Sequence, residues 1–191
     1  MARFAALSVV LAGLVVAGCG SSHNATGSAP ASGTTATSVS APASTPRCTS
    51  SALAVWLGLG EGGGSAGGIV YPLELTNISG TPCHLRGFPG VSAWAGDQLG
   101  SPAGRDHAVP AHTVTLADGD TAHALIRFGN VGNFSRASCR PQTAGALRVF
   151  PPGERASRLV PFSFPACSKP GPVYLTVRAV EPGVGIPGFS R

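Results

Sequence analysis

The sequence predicts an all-β protein whose folded part is an antiparallel, immunoglobulin-like β-sandwich. Glycine (27) and proline (17) are abundant among the 191 residues, and only 11% of the residues are charged. Because glycine costs about 1 kcal/mol and proline about 3 kcal/mol inside a helix, this composition disfavours long helices. Apolar and polar residues alternate in several runs, and turn-forming residues separate those runs. We therefore expect short strands joined by turns, and no helix longer than two turns.

Residues 1–18 have the features of a signal peptide. A single cation, Arg3, precedes a short apolar stretch at residues 4–16. This stretch is too short for a membrane-spanning helix, which takes about 20 residues, and it fits the h-region of a secretory signal. The motif Val-Ala-Gly-Cys at residues 16–19 resembles the lipobox of bacterial lipoproteins. The resemblance implies that Cys19 carries a diacylglyceryl group and becomes the N-terminus of the mature chain.

A lipid on Cys19 would hold the protein on the extracytoplasmic face of the cell membrane. Two acyl chains anchor a protein stably, whereas one chain gives marginal binding with an association constant of about 10⁴ M⁻¹. The alternative is an ordinary signal peptide, with Cys19 incidental or in a disulfide. We expect the membrane to be a partner of this protein through its N-terminal lipid.

Residues 20–46 contain no Asp, Glu, Lys or Arg and consist mostly of Ser, Thr, Ala, Pro and Gly. Such a segment buries too little apolar surface to offset the entropy of ordering. We therefore expect residues 19–46 to be a lipidated cysteine followed by a disordered linker. As a coil, the linker would have ends about 30 Å apart on average and would hold the folded domain, residues 47–191, away from the lipid surface.

Alternation of apolar and polar residues marks the strands of the folded domain. Three runs place their apolar residues on one face: Ile69, Tyr71, Leu73, Leu75; Ala122, Ala124, Ile126, Phe128; and Val173, Leu175, Val177, Ala179. The opposite faces carry Glu74, Thr76; Thr121, His123, Arg127; and Tyr174, Thr176, Arg178. Shorter strands are predicted at residues 52–57, 83–86, 91–94, 113–116, 146–150 and 159–164. Turn residues separate these runs, as at 77–80, 118–120 and 151–153.

Four cysteines remain when the lipid-bearing Cys19 is set aside, and an even number in an exported chain implies two disulfides. Three pairings are possible. We favour Cys48 with Cys83 and Cys139 with Cys167, so that each bond joins one end of the domain to a neighbouring strand. Metal binding is the competing use of these cysteines. The chain has no C-x-x-C motif and no histidine at ligand spacing, so we expect no metal and no cofactor.

A family resemblance is carried by Cys48 and the segment YPLELTNISGTPCHLRGFPGVS at residues 71–92. The segment resembles the actinobacterial domain of unknown function 4232 family. Residues 114–128 and 149–154 fit the same family more loosely. The shared positions are Leu75-Thr76-Asn77, Ser79-Gly80, Cys83, Leu85, Gly87 and Pro89-Gly90-Val91. The resemblance implies a secreted or lipid-anchored β-sandwich, and it implies no activity.

The motif is first of all architectural. Residues 77–80 are expected to make a tight turn, and Cys83 and Leu85 share one strand face and point inward. The alternative is a ligand contact made by the exposed residues of the same segment. These candidate ligand residues are His84, Arg86, Phe88 and Trp94.

Two glycine motifs invite an enzymatic interpretation. Residues 58–63 match G-x-G-x-x-G and residues 63–67 match G-x-S-x-G. Both motifs work at a strand-to-helix turn, whereas this glycine-rich run leads directly into the strand at Ile69. We therefore predict a flexible hairpin loop there. Asp118 and Asp120 could be paired carboxylates for acid–base work or Ca²⁺, but their ordinary role is in a turn.

The cations do not form a nucleic-acid surface. The formal net charge is +5, but the arginines are scattered and Lys169 is the only lysine, so we expect no nucleic-acid partner. The leading hypothesis is a non-catalytic binding or envelope-associated module whose partner is an envelope protein or a glycan. The alternative is a hydrolase or small-ligand carrier whose site is built by loops, with Asp106, His107 or Ser65 taking part.

Overall fold

Strands dominate the part of the chain that the structure describes, which is residues 44–185 of a computed structural model. The predicted signal peptide, the predicted lipidation residue Cys19 and most of the predicted linker lie outside the described residues. In chain order the strands are β1 (Leu53–Leu57), β2 (Gly63–Ser65), β3 (Gly68–Asn77), β4 (Cys83–Arg86), β5 (Gly90–Trp94), β6 (Gln98–Leu99), β7 (Gly104–Asp106), β8 (Thr113–Leu116), β9 (Thr121–Gly129), β10 (Pro141–Phe150), β11 (Arg158–Cys167), β12 (Leu175–Arg178) and β13 (Glu181–Pro182).

Helices in the described residues are short. The α-helix α1 spans Arg136–Cys139, and 3₁₀ helices span Ser50–Ala52, Leu59–Glu61 and Val131–Asn133. The prediction of many short strands without a helix longer than two turns is confirmed for this part of the chain.

A large sheet contains seven strands. Its main order is β1-β3-β9-β12-β7, with β2 added to β3 and β13 added to β9. Its long central pair, β3 and β9, runs in register from Gly68 opposite Gly129 to Thr76 opposite Thr121. The pairings are antiparallel except for β7 and β12, which are parallel.

A second sheet has four strands in the order β11-β10-β5-β6, all antiparallel, and β4 and β8 form a separate two-stranded sheet. Side chains of all three sheets belong to one hydrophobic core. The predicted all-β sandwich is confirmed, with β7 and β12 as the one parallel pair among the named strands; outside them, an isolated parallel bridge joins Arg47 to His84.

The core follows the predicted alternation. On the large sheet the inward residues Leu73, Leu75, Ala122, Ala124 and Ile126 are at most 1% exposed. On the four-stranded sheet the inward residues are Val91, Ala93, Leu147, Val149 and Val160, and all are buried. Cys83 and Leu85 both point into the core, as predicted.

Three residues assigned to polar faces are buried, namely Glu74, His123 and Tyr174. Glu74 and His123 are cross-strand partners on β3 and β9, and they are only 0% and 3% exposed. The chain after β13 covers them, because the Gly185 N–H donates to Glu74 Oε1 over 2.7 Å and His123 Nδ1 lies 3.0 Å from the Gly183 carbonyl oxygen. The alternation correctly places Glu74 and His123 on the face opposite the core residues. It does not predict that a segment more than 50 residues later in the chain covers that face.

The third alternating run is shorter than predicted. Strand β12 begins at Leu175, and the two residues before it do not follow the period of two. Val173, predicted to face inward, is 53% exposed, whereas Tyr174, predicted on the opposite face, is buried. The prediction for these two residues is wrong because they precede the strand.

Asn77 organises the predicted turn at the end of β3. Its side chain is fully buried, and its Nδ2 donates to the carbonyl oxygens of Thr81, Leu116 and Ala117 at 2.8, 3.2 and 3.1 Å. Its Oδ1 accepts hydrogen bonds from the Ser79 N–H and hydroxyl. A buried amide costs free energy unless its polar atoms are paired, and here both are.

The disulfides join Cys48 to Cys83 and Cys139 to Cys167, which is the pairing favoured from the sequence. The first bond lies near the end of β3, because Cys83 begins the next strand and Cys48 precedes β1, whose Leu53 pairs with Asn77. The second bond ties α1, which follows β9, to the end of β11. The two disulfides therefore stabilise opposite ends of the sandwich.

Candidate functional site

A cavity of about 500 Å³ lies between the sheets at the end where β9 finishes. Inward residues of β3, β9 and β11 form its walls. The backbone at the start of β3 and at the end of β9 forms its rim. The lining residues are Gly67, Gly68, Ile69, Tyr71, Phe128, Gly129, Asn130, Val131, Phe162, Ser163, Phe164 and Pro165.

Four aromatic rings form the wall of this cavity, which we call the inter-sheet cavity. The Phe128 ring centroid lies 5.0 Å from that of Phe164 and 5.3 Å from that of Phe162, both in edge-on geometry. The Tyr71 ring lies edge-on to Phe128 and Phe162, at 5.8 and 5.6 Å. Edge-on pairs at these distances are favourable beyond the area they bury. Tyr71, Phe128 and Phe162 are each partly exposed.

Glycine residues allow the close approaches at the rim. A β-carbon on Gly68 would collide with the carbonyl oxygen of Phe128, and one on Gly62 would collide with the ring of Tyr71. Both glycines belong to the run at residues 58–68, which folds into the β2–β3 hairpin. The β2–β3 pairing agrees with the hairpin predicted for this run, and the helix that follows β1 here is the three-residue 3₁₀ helix Leu59–Glu61, not the α-helix that either glycine motif needs for catalysis or nucleotide binding.

The lining of the inter-sheet cavity is uncharged. Among its described residues the polar side chains are Tyr71, Asn130 and Ser163. The Asn130 Oδ1 atom accepts a hydrogen bond of 2.8 Å from the Gly132 N–H, which holds the turn after β9. A site of this composition would suit an uncharged apolar group better than an ion, because an ion placed there would lose its hydration without gaining a charged partner.

The four candidate ligand residues are spread over two sheets and the chain that joins them. His84 Nδ1 lies 2.8 Å from the carbonyl oxygen of Thr45, and Arg86 is exposed at the end of β4. The Phe88 ring packs 4.7 Å from the His107 ring, on the chain between β4 and β5. Trp94 ends β5, which belongs to the four-stranded sheet, whereas β4 pairs with β8. None of the four lines the inter-sheet cavity.

Asp106 and His107 have separate partners. Asp106 Oδ2 forms an ion pair with Arg178 Nε at 2.9 Å, and its Oδ1 accepts from the Ala108 N–H. The hydrogen bonds from Arg178 and Ala108 hold the pKa of Asp106 below its usual range. The His107 ring instead contacts Phe88, so these two residues do not form the carboxylate–imidazole half of a relay.

Asp118 and Asp120 serve the turn between β8 and β9. Asp118 Oδ1 accepts from the Gly80 N–H, and Asp120 Oδ2 accepts from the Ala117 N–H, both at 2.9 Å. The two carboxylates therefore stabilise backbone turns. In residues 44–185 no group of three or more His, Cys, Asp or Glu side chains is placed to hold a metal ion.

Sequence reasoning missed the inter-sheet cavity. Its signal was present in Phe162 and Phe164, which alternate in one predicted strand, and in Tyr71 and Phe128, which lie in the first half of β3 and at the end of β9. Periodicity indicates that such rings face inward. It does not indicate that the sheets leave space between them.

The fold and this site define a class: a disulfide-bonded β-sandwich with an apolar cavity between its sheets. No helix in the described part of the chain is long and apolar enough to cross a membrane. The family model described as "Domain of unknown function (DUF4232)" matches residues 48–181, and the chain belongs to this family. No curated protein and no solved structure matches the chain. The match confirms the resemblance carried by Cys48 and residues 71–92.

Proposed function

We propose that this protein is a non-catalytic binding module, anchored by a lipid on the extracytoplasmic face of the cell membrane, which holds an uncharged apolar ligand in the inter-sheet cavity. The observation that carries the proposal is the cavity itself. Ligand sites in proteins are typically concave, about 300–1,000 Å³ in volume, and mostly apolar with a few polar groups. The inter-sheet cavity has this size and composition.

The anchored location is supported by the lipobox at residues 16–19 and by the charge-free linker that follows it. A linker of this length would keep the cavity within tens of ångströms of the lipid surface, since its ends lie about 30 Å apart on average. Apolar molecules partition into that surface. The predicted location at the membrane and the apolar cavity therefore both support an apolar ligand.

The contacts made by Asp106 and His107 favour a binding role over the hydrolase alternative. Asp106 is engaged by Arg178, and His107 packs on Phe88. The cavity, in contrast, is lined by aromatic and aliphatic groups that bind without reacting. A small-ligand carrier shares this chemistry and is the part of the alternative that the cavity supports.

The cavity is tested by titrating the full chain carrying Cys19→Ser with 1-aminoanthracene, an uncharged probe that fluoresces in apolar surroundings. The test variant is Ile69→Asp, because Ile69 lines the cavity and is 45% exposed. The matched control is Leu159→Asp, on β11 outside the cavity lining and 54% exposed.

We expect Ile69→Asp to weaken probe binding about tenfold or more, since a carboxylate at the mouth is desolvated by an apolar ligand and each 1.4 kcal/mol is a factor of about ten. Leu159→Asp should leave the affinity unchanged. Absence of saturable binding to the parent chain, or equal affinity in the two variants, would contradict the proposed site.

The anchor is tested separately by cell fractionation and by mass spectrometry of the mature N-terminus. We expect the natural chain to remain with the membrane and to carry a lipid on Cys19, and the Cys19→Ser chain to be released. Equal membrane retention of both chains would refute the anchor while leaving the cavity proposal standing.

A further inference from the structure

We infer that the outer face of the four-stranded sheet carries a second binding site, built by Trp94, Arg148 and Phe150, whose ligand is a carboxylate-bearing saccharide. The guanidinium carbon of Arg148 lies 4.8 Å from the ring centroid of Trp94 and 4.8 Å from that of Phe150. One cation is thus held between two aromatic rings. This site lies on the face opposite the core, so it is distinct from the inter-sheet cavity.

The strand register explains the arrangement. On the outer face Trp94 of β5 pairs with Ala146 of β10, and Phe150 of β10 pairs with Gly90 of β5. Each large ring therefore has a small residue as its cross-strand partner. Arg148 lies between them, where diagonal neighbours on adjacent strands are within reach of long side chains.

The guanidinium is fixed in orientation. Arg148 Nε donates to the Ser157 hydroxyl over 3.1 Å, and no acceptor in the described residues lies within hydrogen-bond distance of its two terminal nitrogens. Those terminal N–H groups form a planar fork that matches a carboxylate bidentately. Stacking on the two rings leaves this edge of the guanidinium open, because the rings cover its faces.

A buried hydroxyl lies at the same place. Ser92 is the cross-strand partner of Arg148, is 3% exposed, and its Oγ has no hydrogen-bond partner in the described residues. Buried hydroxyls are normally paired, so this one is an exception that points to a missing partner. A carboxylate bound at Arg148 would supply an acceptor for it.

The strands of this sheet carry positive charge only, and its acidic residues lie in the turns, with Asp97 between β5 and β6 and Glu154 between β10 and β11. The residues of β5, β6, β10 and β11 include two arginines, Arg148 and Arg158, and no aspartate or glutamate. Arg158 is the cross-strand partner of the inward residue Val149, so it lies on the other face of the sheet from Arg148, and its Nε donates to the carbonyl oxygen of Ser50 over 2.8 Å. Arg148 is therefore the arginine of these strands that lies on the outer face.

The aromatic rings favour a sugar over other carboxylates. One face of a pyranose ring presents C–H groups that pack against aromatic surface, while its hydroxyl groups point to water. Trp94 and Phe150 are both partly exposed on either side of the guanidinium. A uronate residue would place its carboxylate on Arg148 and its C–H groups on the adjoining rings.

The test follows the two tryptophan indole N–H resonances of the full chain carrying Cys19→Ser, because Trp56 and Trp94 are the only tryptophans in the sequence. Trp94 reports the site, and Trp56, on β1 of the large sheet, is the internal control. The probes are trigalacturonate, the neutral sugar maltotriose and the acidic peptide tetraglutamate. We expect trigalacturonate alone to shift the Trp94 resonance in a saturable manner.

The matched variants are Arg148→Gln and Arg105→Gln. Arg105 also lies over an aromatic ring, with its guanidinium carbon 5.6 Å from the Phe88 centroid, but it belongs to the large sheet. We expect Arg148→Gln to weaken binding about tenfold or more and Arg105→Gln to have no effect. Arg148→Lys keeps the charge without the fork and should recover only part of the affinity.

Several outcomes would overturn the inference. A Trp94 resonance that is unmoved by trigalacturonate would refute the site. Equal shifts with tetraglutamate would refute the saccharide assignment, and equal shifts with maltotriose would refute the role of the carboxylate. If Arg148→Gln unfolds the protein, the Trp56 resonance will no longer appear at its position in the parent chain. The Arg148→Lys titration then decides the result.

Discussion

The two ends of strand β3 use the same alternation for different purposes. At the end nearer Asn77, the inward residues Leu73 and Leu75 are both 0% exposed. At the other end, Tyr71 is partly exposed and Ile69 is 45% exposed beside the inter-sheet cavity. Aliphatic side chains fill one end of the sandwich, whereas aromatic rings surround an open volume at the other. One strand thus lies in a closed core at one end and beside an open cavity at the other.

The largest expected difference between the ends is in core stability. Leu75→Ala should lower the free energy of unfolding by about 2–5 kcal/mol, because it removes buried methyl groups and leaves a cavity in a packed core. Ile69→Ala should cost less than about 1 kcal/mol, since that side chain is already half in solvent. Urea unfolding of the two variants measures both values. Equal losses would show that the cavity end is packed as tightly as the closed end.

The two disulfides give a second comparison. Their sequence separations, 35 and 28, are similar, so removing either pair by Cys→Ala should cost about 4 kcal/mol on the loop-entropy model. Only loss of Cys139–Cys167 should also weaken 1-aminoanthracene binding, because that bond ties the chain after β9 to β11 at the cavity. Thermal unfolding and the probe titration test this, and weakened binding after loss of Cys48–Cys83 would argue against the distinction.

The alkaline stability of the cavity end is expected to depend on Tyr174. Its carbonyl oxygen accepts a hydrogen bond from the rim residue Gly129, and burial raises the pKa of its phenol to about 12. An unfolded tyrosine titrates near about 10, so its stabilising contribution is complete below that pH. That contribution is lost as the pH rises from about 10 to 12. Unfolding measured from pH 8 to 12 should show this decline, and Tyr174→Phe should flatten it.

The smallest expected effect concerns a pair on the outer face of the large sheet, away from both ends of the core. The ion pair with Arg178 lowers the pKa of Asp106, so its stabilisation is present above about pH 4 and is lost as the pH falls further. Both side chains are more than one-third exposed, so Asp106→Asn should cost less than about 1 kcal/mol. A loss of several kcal/mol at neutral pH would mean that this pair supports the core.

The sequence predicts the inward faces well because alternation depends on local geometry. It places Leu73 and Leu75 correctly, and the cysteines pair as favoured. Alternation does not predict burial where segments that are distant in the sequence come into contact. Glu74 is buried because Gly183–Gly185 crosses its face, and no local pattern contains that contact.

The candidate site is less predictable for the same reason. Residues 84–94 look continuous in the sequence, but the chain passes from β4 to β5 between them, and these strands belong to different sheets. His84 and Trp94 therefore lie on different sheets. The residues that do meet, such as Tyr71 and Phe162, are far apart in the sequence and come together only when the two sheets pack.

We expect the open end of β3, but not the closed end, to bind apolar ligands. Ile69 and Ile78 report the two ends, since they lie at or just beyond opposite ends of β3 and are 45% and 57% exposed. We propose to titrate the full chain carrying Cys19→Ser, labelled at its isoleucine δ1 methyl groups, with 1-aminoanthracene. We expect a saturable shift of the Ile69 resonance with the Ile78 resonance unchanged. An unmoved Ile69 resonance, or equal shifts at both residues, would contradict it.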